Sequence, residues 1–163
     1  MESLDPRVTR LPEINVRALD PESSVRDQFA TFEVFVQPKA GKPFQHEGSI
    51  HAPNLEMAYI LAKETLTRRF TCSSLCVVAT IDVVVSPLTE GSQSIYDTLG
   101  KPPVTSGKNT SFEIYHLTKR GKQHIYFRTI EATSPLEAML AAKEQIPNDL
   151  MIYNIWVIPT EKI

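Results

Sequence analysis

Phe32-Glu33-Val34-Phe35-Val36-Gln37 is followed, 80 residues later, by Phe112-Glu113-Ile114-Tyr115-His116-Leu117. Both stretches are rich in aromatic and β-branched residues and read as strands. The correspondence extends well beyond them. With residue n set against residue n+80, Thr31–Val83 lies on Ser111–Ile163 without a gap, and 13 of the 53 pairs are identical. Among these are Glu33/Glu113, Gly41/Gly121, Ala58/Ala138, Ala62/Ala142 and Thr80/Thr160. A repeat of this length is the mark of an internally duplicated supersecondary unit.

Working outward from the first strand, Phe32, Val34 and Val36 share one face by the period of two. Phe35 falls on the other face, so Phe35, Tyr115 and Phe44 are candidates for apolar surface that awaits a partner. Gly41 and Gly121 sit in matching turn segments where a positive φ is useful. Second strands follow at Gln45–His51 and Gln123–Glu131, giving a hairpin in each unit.

A helix comes next. Asn54 is the expected N-cap in the first unit, with Glu56 in the first turn and Arg68 and Arg69 in the last. Leu55, Ala58, Ala62 and Leu66 form one stripe at helical spacing. Ser134-Pro135-Leu136-Glu137 reads as a capping box with Pro at the first helical position, and Ser134 aligns with Asn54. Third strands at Leu75–Val83 and Ile152–Ile158 close the units.

The expected fold class is therefore α+β: two tandem β-β-α-β repeats related by pseudo-symmetry, a mainly antiparallel sheet, and one helix per repeat. The domains divide as an N-terminal arm, 1–30; a first repeat, 31–83; a linker, 84–110; and a second, diverged repeat, 111–163. The linker is expected to run over the surface, with one short helix near Ser94–Leu99. One unit alone buries too little apolar surface to be comfortably stable, so a shared core is expected.

The chain has 163 residues and a net charge of −2, with both signs interspersed. No basic stripe marks a nucleic-acid binder. No apolar run approaches the roughly 20 residues that span a bilayer. Residues 1–20 hold no apolar signal core, so the expected location is the cytoplasm. Cys72 and Cys76 lack the spacing of a redox or zinc motif and read as structural thiols.

Glu113-Ile114-Tyr115-His116 has the Glu-x-x-His spacing of a di-iron ligand pair, but it lies in a strand. Positions three apart there face opposite sides, so the pair cannot chelate and His116 reads as a surface histidine. No phosphate-binding glycine loop and no nucleophile elbow occurs. His46 and His51 read either as half-exposed strand histidines or as polar contacts to a partner subunit. Arg68 and Arg69 read either as a complement to the helix dipole or as an interface anchor.

The string Phe32–Val36, His46-Glu47-Gly48-Ser49-Ile50-His51-Ala52, Glu56-Met57-Ala58 and Thr67-Arg68-Arg69 closely resembles the B subunit (PaaB) of phenylacetyl-CoA epoxidase, a bacterial multicomponent monooxygenase. Ile155-Trp156-Val157-Ile158 is similar to that family's last strand, where the first repeat has Leu75-Cys76-Val77-Val78. The usual family member is a single unit, so the tandem form departs from it. The resemblance implies a non-catalytic structural subunit that organises di-iron oxygenase subunits in aerobic phenylacetate degradation. It implies no cofactor in this chain, with the di-iron site in a partner subunit. Partner-interface candidates are His46, His51, Arg68, Arg69 and Phe35. Self-association of the isolated chain is left open. The alternative is a free-standing duplicated α+β module that binds a small ligand, such as an acyl-CoA, between its repeats.

Overall fold

A computed structural model describes residues 29–68, 71–100, 108–147 and 150–163. Most of the N-terminal arm and Arg69 therefore lie outside the described residues.

The chain begins with β1 (Ala30–Gln37), β2 (Gln45–Ala52), α1 (Leu55–Thr65) and β3 (Ser74–Ala79). A 3₁₀ turn (Thr80–Asp82), a two-residue strand β4 (Val84–Val85) and a second 3₁₀ turn (Ile95–Asp97) follow. The second half runs β5 (Thr110–Leu117), β6 (Ile125–Ala132), α2 (Pro135–Lys143), β7 (Asn154–Pro159) and a closing 3₁₀ turn (Thr160–Lys162). The described residues form an α+β fold, with an antiparallel sheet in the order β3-β1-β2-β6-β5-β7-β4 and two helices.

Each hairpin turns where its glycine permits. Gly41 has φ 79° and Gly121 φ 71°, and the turns close with Lys42 N–H to the Lys39 carbonyl at 3.0 Å and Lys122 N–H to the Lys119 carbonyl at 3.2 Å. A glycine at the third turn position carries the positive φ that other residues resist.

Strand registers correspond throughout. β1 pairs Phe32 with Ile50 and Val34 with Gly48, then skips Glu47 to pair Phe35 with His46. β5 pairs Phe112 with Ile130 and Ile114 with Arg128, then skips Phe127 to pair Tyr115 with Tyr126. The bulge thus falls at the same place in both hairpins. The outer pairs also agree, with Val34 opposite Val77 and Ile114 opposite Val157.

The helix caps form as the sequence predicts. Asn54 Oδ1 accepts from the Met57 N–H at 2.9 Å, and Ser134 Oγ from the Glu137 N–H at 3.2 Å. The Glu137 carboxylate reaches one residue further back than a capping box requires, accepting from the Thr133 N–H at 2.8 Å. α1 ends at Thr65 with Lys63 as the base of its last turn, so Arg68 lies beyond the helix. Of the expected stripe, Ala58 and Ala62 are fully buried and Leu66 packs beside them, whereas Leu55 faces out at 52 % exposure.

Three cores result. Under α1, Phe32, Val34 and Val77 meet Ala58 and Ala62. Under α2, Phe112, Ile114 and Val157 meet Ala138, Met139 and Ala142. The third core holds Phe35, Val78, Tyr115 and Ile158 from both halves. Here the expectation of exposed Phe35 and Tyr115 is overturned: they are 0 % and 2 % exposed, and their ring centroids lie 4.5 Å apart. β1 and β5 stand three strand spacings apart, about 14 Å in a flat sheet. The sheet therefore curls until its helix-free faces meet.

The halves join through β2 and β6. Gln45 lies opposite Ile125, flanked by His46 N–H to the His124 carbonyl at 2.8 Å and Tyr126 N–H to the Phe44 carbonyl at 2.7 Å.

The connecting segment does more than cross the surface. Val84 and Val85 pair with Val157 and Trp156, and Ile95 and Tyr96 are buried in the core beneath α2. The short helical element expected near Ser94–Leu99 appears as the 3₁₀ turn Ile95–Asp97.

Candidate functional site

The junction of the halves gathers most of the buried polar groups. Glu33 sits on the inward face of β1, only 7 % exposed. Its Oε2 pairs with His46 Nε2 at 2.7 Å, and its Oε1 accepts from the Thr80 hydroxyl at 2.9 Å. Burial pushes this carboxyl upward, but the His46 and Thr80 hydrogen bonds and the nearby imidazoles outweigh it and hold Glu33 below the ordinary carboxylate range.

His46, the partner of Glu33, belongs to an aromatic cage. Trp156 stacks on His124 with centroids 4.3 Å apart and planes at 24°. Its ring lies 4.6 Å from His46 and meets Phe35 edge-on at 6.3 Å. Asn154 orients His124: its amide donates to the Ser86 carbonyl at 2.6 Å, leaving Oδ1 to accept from His124 Nε2 at 2.7 Å. Burial, set against this hydrogen bond, still lowers the His124 pKa.

The equivalent place on the other side of the junction is built differently. Glu113 again accepts from the matching threonine, Thr160 at 2.9 Å, but takes a second hydroxyl, Thr129 at 2.9 Å, in place of an imidazole, and the Tyr126 and Thr129 hydroxyls lie 2.9 Å apart. Cys76 stands where Trp156 stands in the second half. A cleft of about 610 Å³ opens there, lined from both halves by Phe44, Cys76, Glu113, Tyr115, Tyr126 and Phe127, among others. Burial and the Glu113 charge push the Cys76 thiol up to about 11. Cys72 and Cys76 are both unbridged.

His116 is not the surface histidine expected from the sequence. It is 3 % exposed and shares a 2.7 Å hydrogen bond with the Tyr96 hydroxyl, so the connecting segment closes over it. Burial first, and the His124 charge second, lower its pKa to about 4.

The structure disperses the partner-interface candidates. His46 turns into the junction and Phe35 into the core beneath it. His51 is exposed near the end of β2, its Nδ1 3.1 Å from the Thr31 hydroxyl. Arg68 is exposed beyond α1. Sequence reasoning passed over Glu33, Glu113, Thr80 and Thr160. The signal was present, since both pairs are among the identical positions of the two halves.

A second apolar surface lies on the opposite side of Cys76. Leu55, Tyr59 and Ile60 of α1 face solvent at 52, 46 and 47 % exposure, and with Leu75, Val77 and Ile163 they line a depression of about 630 Å³. The α2 counterpart of Tyr59 is Met139, 4 % exposed in the core that Ile95 and Tyr96 complete.

Among the described residues, no group of three or more His, Cys, Asp or Glu side chains could hold a metal ion, and no helix is long and apolar enough to cross a membrane. Residues 28–101 match the family of phenylacetic acid degradation B, PaaB; residues 102–163 lie outside the match. No curated protein and no solved structure matches the chain.

Proposed function

We propose that this chain, which belongs to the phenylacetic acid degradation B family through its residues 28–101, is a non-catalytic structural subunit of a multicomponent phenylacetyl-CoA epoxidase. In this reading it organises the di-iron oxygenase subunits, and the oxidation takes place in a partner. The two halves are copies of one unit, related by a pseudo-twofold between Gln45 and Ile125, and one chain stands where two single-unit subunits would stand. The matching bulges, caps and strand registers support that equivalence.

The observation that carries the assembly role is the bare outer face of α1. Leu55, Tyr59 and Ile60 are about half exposed, whereas the connecting segment buries Met139 on α2. Clustered apolar surface of this kind marks an interaction site. Arg68, exposed beyond the end of α1, suits an interface anchor.

The test is purification of the tagged chain from its native host. A di-iron oxygenase subunit is expected to accompany it in fixed stoichiometry. Tyr59→Lys with Ile60→Glu should abolish that association and leave the melting temperature within a few degrees, because both side chains are already half in water. Unchanged association, or a pure, partner-free chain under all growth conditions, overturns the reading.

One observation favours a second reading, a duplicated module that binds a small ligand between its halves. It is the cleft beside Cys76, whose walls come from both of them.

A further inference from the structure

We infer that the cleft beside Cys76 is a binding site for a free, planar aromatic molecule of about the size of an indole, neutral or cationic rather than anionic. The inference deepens the second reading above and is independent of the assembly role.

On one side of the junction, Trp156 lies in a cage of three rings drawn from both halves: His124 below it, His46 beside it and Phe35 at its edge. The strand registers fix the counterparts of these residues in the other half. His124 corresponds to Phe44, His46 to Tyr126, and Phe35 to Tyr115. All three counterparts are aromatic and all three line the cleft. Only the central ring is missing, because Cys76 stands in the place of Trp156. The cleft is a cage with three aromatic walls and no occupant of its own, and an aromatic guest gains from offset or edge-on contacts with such walls beyond the area it buries.

The polar groups narrow the guest. Glu33, hydrogen-bonded to His46 of that cage, is 7 % exposed; its counterpart Glu113 is half-buried and lines the open cleft. A carboxylate at the base favours a ring that carries an N–H donor or a positive charge and repels an anion. Lys42 also lines the cleft, and it belongs to the exposed hairpin turn.

The probe is indole itself, titrated into the full chain and followed by amide NMR. Saturable shifts are expected at Cys76, Tyr115, Tyr126 and Phe127, with benzoate producing none. Cys76→Trp supplies the missing ring from the chain, so it should remove indole binding and raise the melting temperature. Cys76→Ala, which only widens the cleft, should keep binding. Phe44→Ala should weaken it by about tenfold through loss of the stacking wall. The inference is overturned if indole leaves the cleft resonances unmoved, or if Cys76→Trp, folded as judged by its spectrum, binds indole as before. It is equally overturned if indole fails while acetyl-CoA shifts the melting temperature, a result under which the small-ligand reading itself would survive.

Discussion

His116 shows how much one position depends on what packs over it. The ring is neutral and buried in the native state, with its pKa lowered to about 4 from 6.5. Between those values the unfolded chain takes a proton that the folded chain refuses, so stability falls as pH drops from about 6.5 toward 4. One such group contributes a slope of about 1.4 kcal/mol per pH unit in that window. His124, lowered in the same sense, adds to it. Glu33, also held low, keeps its contribution above the ordinary carboxylate range and loses it only as the pH falls through its depressed native value. His116→Gln can still bond the Tyr96 hydroxyl but cannot titrate. Its melting temperature should therefore decline less steeply than that of the native protein over the same pH range. Equal steepness in the two proteins would show that His116 does not titrate as described.

At the scale of elements, the helices were the most legible part of the chain. Asn54 and Ser134 announce the helix starts chemically, and both accept the bonds expected of them. Asn54→Ala and Ser134→Ala should each cost about 1 kcal/mol, read from urea unfolding midpoints at constant slope. The strands were legible in number and pairing but not in their two-sidedness. Period-two alternation assigned Phe32, Val34 and Val36 to the core and turned Phe35 outward. No local pattern could reveal that a second sheet face would fold over it. The connecting segment was the least legible element. Val84-Val85 is too short to carry a period, and Ile95-Tyr96 is buried only because α2 and β7 offer it a surface. The candidate site was half written in the sequence. Glu33/Glu113 and Thr80/Thr160 stood out as identities, but their meeting with His46, Trp156 and His124 depends on the curl of the sheet.

For the molecule as a whole, the core of Phe35, Val78, Tyr115 and Ile158 is the main apolar bond between the halves. The hydrogen-bonded strand contact is confined to Gln45 opposite Ile125 and its flanking bonds. Phe35→Ala should therefore cost about 3–5 kcal/mol. The native chain should unfold in urea as one transition, reported alike by Trp156 fluorescence and by far-ultraviolet circular dichroism. Two separated transitions would mean that each half is stable alone. The sheet that joins the halves is itself finished unequally. β4 lies along β7 at one end, whereas β3 is the last strand at the other. Among the described residues no strand pairs with the outer edge of β3, and an unpaired strand edge beside apolar side chains is a template for irregular association as readily as for a proper partner. A cell that makes this chain in excess of whatever covers that edge would accumulate an orphan prone to aggregate. Under the proposed assembly role, matched synthesis with its partners, or prompt removal of the surplus by proteolysis, follows as a demand on the host, set by one edge strand.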